Sequence, residues 1–165
     1  MTLATGLMAV LAGTSLAAQE RGELGIAVGS MVEPVVVEDL DGNPVDLSEF
    51  IGHGPVLIEF WASWCENCEA LQPDMDAAHA EHGDRVQFLA VAVAVAQTPR
   101  RVTRHLEKDP VPYPVFWDDG GAAVRSFLAP ATSYVVALDA TGRVTYTGIG
   151  PDQDLNAAVR SALMD

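Results

Sequence analysis

A chain of 165 residues that is 49% hydrophobic and 19% charged has the length and apolar content to bury one substantial core, and nothing in those numbers asks for a second domain. Its 9 basic and 23 acidic residues give a formal charge of -14, a field that repels nucleic acid and anionic membrane surfaces. Nucleic acid is therefore disfavoured as a partner, and the acidity reads as a solvated surface that keeps the chain soluble.

The chain opens on Met1 to Ala18, which carries no charge, runs through the apolar Leu7-Met8-Ala9-Val10-Leu11-Ala12 and ends in Ser15-Leu16-Ala17-Ala18. Small residues at that place suit a signal-peptidase cut after Ala17 or Ala18. The stretch lacks a basic start and is shorter than the roughly 20 residues of a membrane span; a retained N-terminal anchor is the alternative to a cleaved signal. Either reading carries the rest of the chain to an oxidising, extracytoplasmic place. Residues 19–29 are polar and Gly-bearing and read as a tether, with residues 30–165 as the folded domain.

Within that domain, Val35-Val36-Val37, the turn Asp41-Gly42-Asn43-Pro44 and Val45-Asp46-Leu47 predict a small hairpin. Ser48-Glu49-Phe50 begins a helical turn that Gly52 and Gly54 stop. Pro55 to Trp61 is apolar enough for a buried central strand. From Cys65 the pattern turns helical, with Cys68, Leu71, Met75 and Ala78 on one stripe, Pro73 as a kink and Gly83 as the stop. Val86 to Ala96 predicts a second central strand, and Pro99 to Lys108 a helix capped by Thr98. Val111 to Trp117, interrupted by prolines, suits an edge or a short extended segment, and Gly121 to Phe127 a brief helix. Tyr134 to Asp139 and Arg143 to Thr147 form a hairpin around Ala140-Thr141-Gly142, before a closing helix over Asp152 to Met164. Without the two short segments the order is β-β-(α)-β-α-β-α-β-β-α, an α/β chain with no internal repeat.

The only two cysteines stand in Trp64-Cys65-Glu66-Asn67-Cys68, directly after the buried strand. A dithiol at a helix start can cycle between thiol and disulfide, because the positive helix end and its free N–H groups favour thiolate. Cys65 is the expected nucleophile, and Cys68, one turn deeper, the resolving thiol. The same spacing also occurs in half a zinc site, but a zinc ribbon needs a second pair of ligands. His53, His79, His82 and His105 show no pairing that resembles metal ligation with the cysteines and read as ordinary surface histidines. Trp64 reads as an apolar rim beside the dithiol, whereas Tyr113, Phe116 and Trp117 read as core. No metal or cofactor is called for.

The element order and the segments Val28-Gly29-Ser30-Met31, Leu40-Asp41-Gly42, Leu47-Ser48-Glu49-Phe50, Val56 to Cys65, Pro73 and Asp139 to Val144 resemble the thioredoxin fold, within it the TlpA/ResA-like extracytoplasmic thiol-disulfide oxidoreductases. The resemblance implies a three-layer α/β fold with a central mixed sheet and an added N-terminal hairpin. It also implies an enzyme that reduces protein disulfides through a Cys65 mixed disulfide, supplied with electrons by an upstream reductant. Glu59 matches the buried carboxylate of that family, where desolvation raises a pKa toward the range useful for proton exchange with Cys68.

Three departures from the family pattern stand out. Glu66-Asn67 replaces the common Gly-Pro or Glu-Pro pair, and Leu71 stands where many relatives carry a Glu, leaving Glu69 as a substitute or Glu59 alone. The slot of the family's cis-proline falls by count on Ser133, with Pro130 three residues early, so Pro130, Thr132 and Ser133 form the expected substrate-docking edge. Two other readings use the same thiols: a thioredoxin-like Cu(I) metallochaperone, and a structural binding module whose disulfide never cycles. The expected protein works as a monomer; apocytochrome c cysteines are a substrate only at the level of the family.

Overall fold

The computed structural model describes residues 25–164. The expected leader over residues 1–18 and the first part of the tether lie outside them. In chain order the elements are β1 (Val36–Glu38), β2 (Pro44–Asp46), a 3-10 turn (Leu47–Glu49), β3 (Val56–Trp61), α1 (Glu66–His82), β4 (Gln87–Val93), α2 (Pro99–Leu106), β5 (Val115–Asp118), α3 (Ala122–Ser126), β6 (Tyr134–Leu138), β7 (Val144–Ile149) and α4 (Leu155–Leu163). The strands form one mixed sheet in the order β2-β1-β5-β4-β3-β6-β7. Strands β3, β4 and β5 run parallel, while β6 and β1 join them antiparallel.

All six residues of β3 are buried, as expected for a strand flanked on both sides and covered on both faces. Its side chains alternate between the two faces. Phe60 points to one, against Phe127 at 5.4 Å and Tyr134 at 6.0 Å. Glu59 and Trp61 point to the other. The crossovers from β3 to β4 and from β4 to β5 step in the same direction, which places α1 and α2 together on that second face. Helix α4 packs there beside α1, while α3 lies against β1 and β5. Helix, sheet and helix make three layers.

Both hairpins turn on the same device. Asp39 Oδ1 accepts the N–H groups of Asp41 and Asn43, and Asp139 Oδ1 accepts those of Thr141 and Arg143. In each case a glycine with positive φ follows, Gly42 at 86° and Gly142 at 84°.

Four expectations change. Of the two readings of Val111 to Trp117, β5 is the short extended segment and not the edge: it pairs over four residues with β4, and Trp117 pairs with Glu38 of β1, because the N-terminal hairpin folds back to cover it. The chain order consequently gains β5 and α3. Strand β4 ends at Val93, three residues before Ala96, where Val95 N–H turns back to the Val93 carbonyl and Ala96 adopts φ 53°. Finally, the described end of the tether is docked on the domain. Ile26 is buried and donates its N–H to Tyr134 Oη, and Gly29 N–H binds the Val144 carbonyl.

The N-cap of α3 is Gly121, which has no side chain to cap the helix. Asp118, buried at the end of β5, does so instead, accepting the N–H groups of Ala123 at 3.1 Å and Val124 at 2.9 Å. Replacement by alanine leaves two helix N–H groups unmade, so Asp118→Ala is expected to cost about 1 to 3 kcal/mol. Urea denaturation of the oxidised protein measures it.

Candidate active site

Cys65 is the N-cap of α1, with extended backbone at φ -88° and ψ 103°, and its Sγ accepts the Cys68 N–H at 3.1 Å. The two cysteines are joined as a disulfide. Both residues are nearly covered, Cys65 8% exposed and Cys68 5%. When the bond is reduced, the helix end and the Cys68 N–H favour a thiolate on Cys65 over one on Cys68. Pro73 lies inside α1, which continues through it to His82.

The loop after β4 is tied to the dithiol turn. Trp64 Nε1 donates to the Val95 carbonyl at 2.7 Å, and Ser63 N–H donates to Gln97 Oε1 at 2.9 Å. Gln97 Nε2 in turn donates to the Val93 carbonyl at 2.7 Å. These bonds explain why β4 stops early. They also hold Trp64, which is 41% exposed, as an apolar rim next to Cys65, with exposed Val95 beside it.

Behind the disulfide, between α1, α2 and the sheet, lies an open cavity of about 470 Å³, lined among others by Glu59, Trp61, Cys65, Cys68, Gln72, His105 and Tyr113. Glu59 is 2% exposed, its Oε1 has no hydrogen-bond partner, and burial pushes its carboxyl up to about 8. At neutral pH the group is largely protonated, and a small change of surroundings moves its proton on or off. Tyr113 Oη accepts from Gln72 Nε2 at 3.0 Å, and Gln72 Nε2 also reaches Asp76 at 2.8 Å. Burial first, then the charges of Glu59 and Asp76, raise the Tyr113 hydroxyl pKa, so it stays protonated. Glu69 lines the same cavity, while Leu71 points into the core.

The expected docking edge is only partly assembled. Ser133 is buried, precedes β6 at the dithiol end of the sheet, and has φ 56°, a region closed to proline. Its Oγ accepts the Gly150 N–H at 3.2 Å, and its carbonyl accepts Gln153 Nε2 at 2.8 Å. Pro130 is exposed and Thr132 half-buried, and none of the three lines the cavity. Among the described residues no peptide bond is cis. His79 packs on Phe88 and Tyr113, away from the sulfurs. His105 stacks on Trp61 at 5.5 Å and lines the cavity, which its sequence neighbours do not indicate. Tyr113, read from the sequence as core alone, has its ring in the core and its hydroxyl at the site.

The family model described as Redoxin matches residues 27–163. The chain belongs to the Redoxin family. It is 27% identical over 114 residues to the thiol-disulfide oxidoreductase ResA of Bacillus thuringiensis, a match that covers 68% of this chain and 65% of that protein. It is also 26% identical over 158 residues to ResA of Geobacillus thermodenitrificans, covering 94% of this chain and 89% of the relative. This Redoxin chain thus spans just under two thirds of the first relative and most of the second. Among solved structures, a thiol:disulfide interchange protein from Chlorobium tepidum superposes with a TM-score of 0.67 at 22% identity, covering 84% of this chain and 99% of that one. A secreted Mycobacterium tuberculosis disulfide oxidoreductase gives 0.65 at 20% identity, covering 79% and 96%. The described domain has the thioredoxin-like fold of these solved structures.

The state of Glu59 makes stability depend on pH. Its carboxyl titrates near 8 in the folded protein and near the ordinary 4.5 when unfolded. A raised carboxyl contributes fully below the lower value and loses that contribution as pH rises toward the higher. Glu59→Gln is therefore expected to gain stability on wild type between about pH 4.5 and pH 8, with the gap constant above, measured by urea denaturation across that range.

Proposed function

We propose that the protein reduces disulfide bonds of other proteins outside the cytoplasm. The observation that carries this reading is the Cys65-Cys68 pair at the N-terminus of α1, with a buried, partly titrating Glu59 on the cavity that Cys68 also lines.

In the reduced protein, the Cys65 thiolate attacks one sulfur of a substrate disulfide. That S–S bond breaks, a Cys65 mixed disulfide forms, and the displaced sulfur leaves as a thiolate that takes a proton from solvent. The Cys68 thiol then gives its proton to ionised Glu59 and attacks Cys65 Sγ. The mixed disulfide breaks, the Cys65-Cys68 disulfide forms, and the second substrate thiolate departs. Two electrons have moved to the substrate, and a dithiol protein on the same side of the membrane must return them by the reverse exchange. Glu59 serves the second step alone, because the helix end already favours thiolate on Cys65.

The extracytoplasmic place follows from the leader-like residues 1–18, which deliver the domain to periplasm or outer face, as a released protein or on an N-terminal anchor. Both thiols and the carboxyl come from one chain, so a monomer suffices. The substrate backbone docks on Pro130 and Thr132, ahead of β6 at the dithiol end of the sheet, while buried Ser133 supports that edge through its bonds to Gly150 and Gln153.

Prereduced protein is expected to reduce insulin, and Cys65→Ser and Cys68→Ser each to abolish turnover. Cys68→Ser traps a mixed disulfide through Cys65, which mass spectrometry detects, whereas Cys65→Ser traps none. A reduction potential close to thioredoxin's, about -270 mV, supports the reductase, and one close to -120 mV would make it an oxidant. Tight Cu(I) binding with no turnover would replace the reading with a metallochaperone.

Glu59→Gln is expected to slow resolution about 10-fold or more, so that mixed disulfide accumulates in single-turnover experiments, and to remove an inflection near pH 8 from the rate profile. A variant whose profile keeps that inflection would assign the proton to another group.

A further inference from the structure

The cavity behind the disulfide is built for more than proton exchange. Its floor is open because Ala90, the β4 partner of Glu59, is small. Its exposed mouth carries Glu66, Glu69, Asp76 and Asp109, and neither lysine nor arginine lines it. None of those four carboxylates is in an ion pair among the described residues, where the salt bridges join other side chains. Deeper in, Glu59 Oε1 and Trp61 Nε1, two residues apart on the same face of β3, are both buried and without a hydrogen-bond partner. An orphan acceptor and an orphan donor at the bottom of an acidic, open cavity are a costly arrangement unless something fills it. The volume, about 470 Å³, falls in the range of side-chain and small-ligand sites.

We propose that this cavity receives a lysine or arginine side chain of the polypeptide whose sulfur is joined to Cys65. The proposal rests on the reductase reading and gives it a substrate class: disulfides with a basic residue close to the attacked cysteine. Cys65 and Trp64 stand on the edge of the same cavity, so a segment held by the mixed disulfide already lies at its mouth. The carboxylates attract the cation, and its N–H groups donate to Glu59 Oε1. A carbonyl or water entering with the chain satisfies Trp61 Nε1–H. Inside, the cation favours ionised Glu59, the form that takes the Cys68 proton. Bound substrate thereby prepares its own release.

The test uses the full chain and acetylated peptides with a single cysteine, held as a mixed disulfide with nitrothiobenzoate, and lysine or norleucine placed in turn one, two or three residues to either side. At low salt the best lysine peptide is expected to exceed its norleucine twin about five- to tenfold in kcat/KM, because several weak charge contacts act together. The ratio is expected to fall toward one in the double variant Glu69→Gln, Asp109→Asn, and likewise at high salt, which screens the mouth. A ratio of one at every position, or one unchanged in the double variant, overturns the proposal. If no peptide turns over, the reductase reading fails separately. The Trp61 indole N–H resonance of the oxidised protein, titrated with cysteine-free lysine and norleucine peptides, then decides: a shift with lysine alone supports the cavity's role, and no shift removes it.

Discussion

A strand buried on both faces has no water to give a carboxyl group, and β3 carries one. Every residue of Val56 to Trp61 is covered, and Glu59 lies among them with an oxygen that no group in the described structure reaches. Desolvation of the charged form is a large effect, enough to move the carboxyl from the acid range to about 8. The site follows from that one placement. Glu59 and Cys68 line one open cavity, and the proposed proton exchange between them rests on that shared lining.

The helix supplies the second half of the chemistry. By capping α1, Cys65 occupies the place where a sulfur meets an unused N–H and the positive end of the helix axis. Cys68 lies within the first turn and gains neither advantage. Once reduced, two thiols of one type differ by position alone, and the proposed reaction uses that difference: Cys65 as thiolate, Cys68 with a base. The bonds from Trp64 and Ser63 to the loop after β4 keep the cap in place and set the exposed apolar rim beside Cys65.

Much of the fold was legible because its signals are local. The uninterrupted apolar run before the dithiol, the helical stripe of Cys68, Leu71, Met75 and Ala78, and the Asp-x-x-Gly turns each carry their physical cause within a few residues. Strand β5 was harder to place. Prolines at positions 110, 112 and 114 give its approach the look of an edge, and only the return of the distant β1 covers it. The end of β4 is hidden from the sequence for a related reason. Alternating Val and Ala continue to Ala96, but side chains of the dithiol turn and the loop pull the backbone out of the sheet after Val93. Ile26 looked like tether because its contact, Tyr134, lies 108 residues away.

The sequence by itself determined the chemistry available: two cysteines at helix-turn spacing, an acid on a strand too apolar to hydrate it, and an order of elements that brings them to one end of a sheet. Local spacing is enough for this, because a helix start and a strand alternation set which atoms face which way. Only the tertiary structure decided what surrounds them. Gln72, His105, Tyr113 and Asp109 come from a helix face, a second helix and a proline-rich approach, and meet because two crossovers of the same direction put α1 and α2 on one face of β3. The small side chain of Ala90 beside Glu59 leaves the cavity open, a matter of strand register that no run of neighbouring residues records.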